Sequence, residues 1–221
     1  DYTRYDLDDY TLGDGAFDRT VPVAEWDNGL YFDRQSSLFD VPYNQTLEPR
    51  LYYAWADADP DQNDIPDFDT DLQTFRFEQL FRPDRFTGGD RVGDANQLTV
   101  ALTSRFNDLL TGAERARFSI GQVQYFEDRE VTLFGEGAGT RSRSPLAGEV
   151  VLNPLDTLEI RSSGLWDPDT GNTEEGRSQL LFHSSDYRYL ASVGHTYSRD
   201  ELEQSDIAAV FPVSDRVSLI G

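Results

Sequence analysis

From residue 45 to the end of the chain, apolar and polar side chains alternate with a period of two. Successive side chains of an extended strand point to opposite faces. This period therefore predicts β-strands that are apolar on one face and polar on the other. In 45–56, Leu47, Pro49, Leu51, Tyr53 and Trp55 fall on one face, and Thr46, Glu48, Arg50, Tyr52 and Ala54 on the other. In 97–107, Leu98, Val100, Leu102 and Phe106 oppose Gln97, Thr99, Thr103, Arg105 and Asn107. In 114–126, Ala116, Phe118, Ile120 and Phe126 oppose Arg115, Arg117, Ser119 and Gly121. Further on, Leu158, Ile160 and Trp166 oppose Thr157, Glu159, Arg161 and Ser163. Strands are predicted at 45–56, 97–107, 114–126, 145–153, 157–166, 177–184, 187–197 and 206–213, paired in sequence order as an antiparallel meander. Further strands are read at 2–7 and 217–221. Pro22, Pro49 and Pro145 each remove a ladder donor, so each predicts an edge, a bulge or a strand start.

The connections add a second pattern. Long, acidic ones are read at 57–96, 128–143, 167–175 and 198–205, and short ones at 108–113, 154–156, 185–186 and 214–215. Long loops on one rim and tight turns on the other are the habit of outer-membrane barrels. A soluble sheet with one wet face also fits the periodicity, but has no reason to sort its loops by length. The expected fold is all-β, an antiparallel meander forming part of a large transmembrane outer-membrane β-barrel. The loop at 57–96 is placed outside the cell. Polar residues on the opposite face would line a hydrated lumen: Glu48, Arg50, Arg105, Arg115, Arg117, Glu159 and Arg161. Aromatics near strand ends (Tyr53, Trp55, Tyr125, Phe126, Trp166, Tyr197) fit interfacial girdles.

Composition narrows the classes. The chain has 221 residues, 41 acidic and 19 basic, with net charge −22, and every basic residue besides two His is Arg. Nothing in that balance would neutralise phosphates, so nucleic acid is excluded as a partner. It suits a salt-rich habitat or cation-binding loops. No apolar run has the length of a membrane helix, and barrel strands of about 9–11 residues need none. Without Cys there is no disulfide or thiolate metal site in this stretch. The absence of an initiating Met, with strands reaching both ends, predicts a piece of a longer chain.

Three segments carry candidate chemistry. Between Asp57 and Asp71 stand seven aspartates in fifteen residues. Carboxylates at such spacing suit a hard cation, Ca²⁺ or Mg²⁺, with Asp57, Asp59, Asp61 and Asp64 as candidate ligands. The bland reading is a solvated acidic loop, and it is the stronger one, because the Gly and closing Glu of an EF-hand are missing. No other cofactor is expected. The segment 79–96 interleaves Leu80, Phe81, Phe86 and Val92 with Arg82, Asp84, Arg85, Asp90, Arg91 and Asp94. Large apolar side chains are worth about 1.5–3 kcal/mol each when buried. This stretch is therefore expected to fold inward and bury Phe81 and Phe86, while 57–71 stays exposed. His183 and His195 lie in strands without metal-ligand spacing or a nucleophile elbow, so no enzyme is expected.

The ordered motifs Thr46-Leu-Glu-Pro-Arg-Leu-Tyr-Tyr53, Asp61-Gln-Asn-Asp-Ile-Pro66, Leu80-Phe-Arg82, Arg85-Phe86, Gly89-Asp-Arg91, Ala95-Asn-Gln97 and Leu102-Thr-Ser-Arg105 resemble the LptD (OstA) family. So do Ser119-Ile-Gly-Gln122, Tyr125-Phe126 and Asp215-Arg216. The resemblance is densest over 45–130 and extends across nearly all 221 residues. It implies that residues 1–221 are part of a C-terminal barrel that inserts lipopolysaccharide into the outer leaflet of a Gram-negative outer membrane. It implies as partners a plug lipoprotein, LptE, a periplasmic LptA-type bridge acting through an N-terminal jellyroll, lipopolysaccharide and outer-membrane lipids. The family's cysteines and lateral gate would fall outside this stretch. Two other readings stay open: another outer-membrane porin or receptor, and a soluble, acidic, Ca²⁺-stabilised all-β surface domain or glycoside hydrolase.

Overall fold

Side chains that alternate with a period of two suit extended strands, whose backbone polar groups pair in the β-ladder. A computed structural model describes residues 2–6, 16–38, 41–57, 59–65, 68–133, 137–214 and 217–221. Its strands are β1 (Tyr2–Asp6), β2 (Ala16–Thr20), β3 (Val23–Gly29), β4 (Phe32–Leu38), β5 (Val41–Ala56), β6 (Ala95–Asp108) and β7 (Glu114–Tyr125). They continue with β8 (Leu146–Leu155), β9 (Leu158–Asp167), β10 (Asn172–His183), β11 (Leu190–Ser198), β12 (Leu202–Ser214) and β13 (Val217–Ile220). β1 and β2 form a two-stranded sheet, and the others an 11-stranded sheet in the order β13-β12-β11-β10-β9-β8-β7-β6-β5-β3, with β4 also on β5. The eight strands predicted from periodicity are all present, in order, as an antiparallel meander. No helix among the described residues is long and apolar enough to cross a membrane, which says nothing of crossing by strands.

Prolines stand at three of the irregularities, and a fourth, the register shift of β10 on β9 between Thr173 and Glu175, has none. β4 pairs Phe32–Leu38 with Val41–Leu47, and β3 takes up β5 again after a break at Leu30 and Tyr31. Opposite the break stands Pro49, which has no N–H to give; Leu30 N–H donates to its carbonyl at 3.0 Å, and nothing can be returned. The register of β8 on β9 shifts between Leu152 and Leu155, around Pro154, and that of β12 on β13 shifts just after Pro212.

Two of the four expected long connections are corrected. The segments 167–175 and 198–205 are mostly strand. β9 runs to Asp167 and β10 begins at Asn172, with Gly171 at φ 73°; β11 ends at Ser198 and β12 begins at Leu202, with Asp200 at φ 59°. The expected two-residue turn at 185–186 is the longer one, 184–189, with Tyr187 at φ 55°. Acidic and glycine-rich stretches read as loops by composition, yet an exposed ladder end accepts them. The sorting of loops by length holds for 57–94 against 109–113 and for 126–145 against 156–157.

The chain divides into two compact units. The first comprises Asp1–Asn28, Leu51–Val100 and Val123–Ser144. Its core is Val21, Tyr52, Ala54, Ala56 and Ala95, with Phe81 and Val92 packed against it. The second comprises Gly29–Arg50, Ala101–Gln122 and Pro145–Gly221 and is almost entirely sheet. Its burial is inverted relative to a protein dissolved in water. Phe118, Val193 and Ile207 are 43%, 49% and 77% exposed, whereas Thr46 and Ser119 on the opposite face are 3% and 5% exposed. Leu47, Leu102, Ile120, Trp166, Leu180, Phe182 and Phe211 lie exposed on the same apolar face.

Candidate functional site

The polar face of the second unit is knitted by charge. Alternation places Glu48 on β5, Arg105 on β6, Arg117 on β7 and Glu149 on β8 on this face, and Glu114, at the first position of β7, joins them through its ion pairs although it is three residues before Arg117. Neighbouring strands lie about 4.8 Å apart, so long side chains on adjacent strands reach one another. Arg105 Nε donates to Glu48 Oε1 at 3.2 Å, and its Nη1 donates to Glu114 Oε2 at 2.6 Å. Arg117 Nε donates to the other Glu114 oxygen at 3.2 Å, and its Nη1 lies 3.0 Å from Glu149 Oε1. The result is an unbroken acid–base–acid–base–acid chain across four strands. Thr46 steadies its end, donating to Glu48 Oε1 at 2.6 Å. Of the residues predicted for a polar lining, Glu48, Arg105 and Arg117 are brought together here. Arg115 pairs instead with Asp156 at 2.6 Å and lies 3.7 Å from Asp108. Arg161 pairs with its strand neighbour Glu159 at 3.0 Å, and Arg50 is half-buried on the same face of β5. Both Glu114 and Glu149 were missed from sequence: register decides that Glu149 meets Arg117, and strict alternation puts Glu114 with Ala116 and Phe118, whereas at the first position of β7 it pairs with Arg105 and Arg117.

In the first unit, two loops fold over the face of β5 and β6 that carries Tyr52, Ala54 and Thr99. The Thr99 hydroxyl donates to the Leu80 carbonyl, and Gln97 Nε2 donates to the Arg82 carbonyl at 3.2 Å. A 3-10 turn at Phe77–Phe81 presents Phe81 edge-on to Tyr52, with ring centroids 6.2 Å apart. Phe86, Asp90 and Arg91 are buried, Phe81 and Arg85 half-buried, and Arg82 exposed. The expectation that 57–71 stays exposed is corrected in part. Asp57, Asp61, Asp69 and Asp71 are exposed, but Gln62 and Ile65 are buried. Gln62 is held like a strand residue: its Oε1 accepts from Val92 N–H at 2.8 Å, and its Nε2 donates to the Val92 carbonyl at 3.3 Å.

Carboxylates and guanidiniums tie this cap together. Asp94 Oδ1 accepts from Arg85 Nη2 at 2.7 Å and from Val131 N–H at 3.2 Å, and its Oδ2 accepts from Glu130 N–H at 2.6 Å. Asn63 Oδ1 accepts from Thr132 N–H at 2.9 Å, and its Nδ2 donates to the Glu130 carbonyl at 3.1 Å. Buried Arg91 donates to the carbonyls of Thr132, Asp90 and Ile65. Arg19, at the end of β2, donates to Thr3 Oγ1, Gln62 Oε1 and the carbonyls of Gly89 and Asp90. The segments 57–94 and 126–145 are thus one hydrogen-bonded body. Burial alone would raise the Asp90 pKa, but N–H donors from Asp69 and Phe68 and the Thr70 hydroxyl outweigh it and hold the carboxyl below its ordinary value.

Among the described residues no group of three or more His, Cys, Asp or Glu is gathered to hold a metal ion. The Asp64 side chain lies outside the described residues. His183 stacks on Tyr187, and His195 Nδ1 lies 3.0 Å from Ser205 Oγ on the exposed apolar face. The His195–Ser205 pair is two cross-strand partners of β11 and β12.

The profile of LptD, LPS transport system D, matches residues 1–217. LPS-assembly protein LptD of Marinobacter nauticus is 82% identical over the whole chain, that of Hahella chejuensis 50% over the whole chain, and that of Pseudomonas syringae pv. syringae 39% over 93% of it. The chain spans 28% of the length of the first two and 24% of the third. With a profile matching nearly every residue and relatives this close, the chain belongs to the LptD family.

Proposed function

We propose that this chain supplies wall strands and an outer cap to an outer-membrane β-barrel that delivers lipopolysaccharide to the outer leaflet. The observation that carries this reading is the inverted burial of the sheet, with Phe118, Val193 and Ile207 exposed and Thr46, Ser119 and Glu149 buried. Exposed apolar stripes over many strands are costly in water and stable in hydrocarbon. The relatives' name, LPS-assembly protein, supports the cargo. In this reading the charged face lines the lumen and meets the LptE plug, the cross-linked loops 57–94 and 126–145 close the extracellular rim, and an LptA-type bridge feeds other parts of the full-length protein. The chain is a conduit and catalyses no reaction.

The test is labelling of whole cells that carry full-length single-cysteine variants. Asp71→Cys, in the cap, is expected to react with a membrane-impermeant maleimide, and Leu110→Cys, in the turn 109–113, only after the outer membrane is opened. Depleting the full-length protein should lower surface lipopolysaccharide. Labelling at position 110 on intact cells, or unchanged surface lipopolysaccharide, overturns the reading.

A further inference from the structure

The exposed apolar face of the second unit carries a groove of about 660 Å³ over β6 to β10. Its floor is three glycines side by side: Gly148 of β8 pairs with Gly164 of β9, which pairs with Gly176 of β10. Its walls are Phe118, Ile120, Leu146 and Trp166. Glycine weakens a strand interior and is kept where something must approach the backbone closely. Folding does not require it at two of these positions. A Cβ on Gly176 would meet nothing within 4 Å, and one on Gly148 only the Ser119 carbonyl at 3.9 Å. Only Gly164 is crowded, by the Glu175 carbonyl at 3.1 Å.

We propose that this groove seats one acyl chain of a membrane lipid. The inference rests on the membrane reading of the apolar face. The lining points to hydrocarbon and not to a headgroup. It contains no Lys or Arg to hold a phosphate, and its two charged members, Glu149 and Glu175, belong to the alternate set of side chains that turns to the other face. The floor residues are ladder-paired, so the floor has few backbone groups to offer a polar ligand. Its volume lies in the range of small-ligand sites, about 300–1,000 Å³, and is confined to parts of five strands. A stable protein contact needs a broader surface, about 800 Å² per partner. A chain lying against bare backbone fills space that bulky side chains occupy elsewhere on this face.

The experiment uses the full-length protein with its natural partner. Native mass spectrometry follows lipid adducts as detergent strips them. One adduct is expected to outlast the rest, to be lost in Gly148→Leu and in Gly176→Leu, and to persist in Ala191→Leu, which adds the same side chain outside the groove. In nanodiscs with acyl-brominated phosphatidylcholine, the fluorescence difference between the parent protein and Trp166→Phe isolates Trp166. Its quenching should saturate at a lower brominated fraction in the parent than in Gly148→Leu. An adduct pattern indifferent to both leucines, or a protein dimer in its place, overturns the groove. No quenching of Trp166 by any brominated lipid means that the face is not in the bilayer, and then both this inference and the membrane reading fall.

Discussion

Asp94 is the residue on which the cap depends most. It is 5% exposed, it neutralises Arg85, and it is the acceptor for two consecutive N–H groups of the other loop. Alanine there leaves two amides without their acceptor and a half-buried guanidinium without its counter-charge, though still bonded to the Asp94 and Val131 carbonyls, a cost of about 1–3 kcal/mol after allowing for the exposure of Arg85. Local opening should then become roughly 5- to 150-fold more frequent. Asp94→Ala is therefore expected to speed amide exchange at Glu130 and Val131, with Ser119 in the sheet unchanged; equal acceleration at all three would mean global loosening and no local clamp. Asp90 gives the cap a pH dependence. Its folded pKa lies below its unfolded value, so its contribution is fully present above the ordinary carboxylate range, near 4, and is lost as pH falls through the depressed folded value. After correction for intrinsic rates, exchange at Phe68 and Asp69 should rise on acidification in the parent and stay nearly flat in Asp90→Asn.

At the scale of a strand, the sign of a substitution tells water from lipid. Phe118 is exposed on β7, so in a water-soluble sheet Phe118→Arg would cost within about 0.5 kcal/mol. On a lipid-facing strand the same change costs about 2–4 kcal/mol near the bilayer centre. Folding of the full-length protein into vesicles should be weakened by Phe118→Arg and by Val193→Arg; parent-like folding of both would place the face in water. Which side is polar was legible in the sequence for the four strands read face by face, 45–56, 97–107, 114–126 and 157–166, since the period of two needs only one strand at a time. What was not legible needed two strands, or a loop and a strand. Glu149 met Arg117 only through register, and Glu114 departed from strict alternation at the start of β7. Gln62 and Ile65 looked like members of an acidic, solvated run until a carboxamide paired with the Val92 backbone. The turn at 168–171 read as a long loop because its flanks are acidic, although they continue the ladder. Within 79–96, the apolar residues announced burial, but not that Asp94 and Arg85 would join a second loop more than thirty positions onward.

At the scale of the molecule, the polar face holds a chain of five charges, three carboxylates and two guanidiniums, with a net charge of −1. Each guanidinium lies between two carboxylates. Removing one arginine therefore takes the cation from only one end acid, Glu48 or Glu149, because Glu114 keeps the other arginine, and the remaining pairs partly absorb the loss. Reversing both, Arg105→Glu with Arg117→Glu, takes the same five positions to −5 with no cation among them. Like charges on adjacent strands destabilise the sheet directly, and the altered field would repel an acidic surface of any plug seated against it. In the proposed reading, with LptE as the plug, the double reversal is expected to cut the amount of full-length barrel assembled, and the amount of LptE recovered with it, far more than Arg161→Ala does. The latter removes a half-exposed side chain whose pairing with Glu159 stays within one strand. Raising the salt concentration should restore part of the LptE recovery if the effect is electrostatic, because exposed charges are screened within about 8 Å at physiological ionic strength and within about 3 Å at 1 M. If the double reversal assembles and retains LptE at the parent level, the five-residue chain only hydrates its face. The plug contact would then have to be sought on the cap, where Arg82 is exposed, or on parts of the full-length protein outside this stretch.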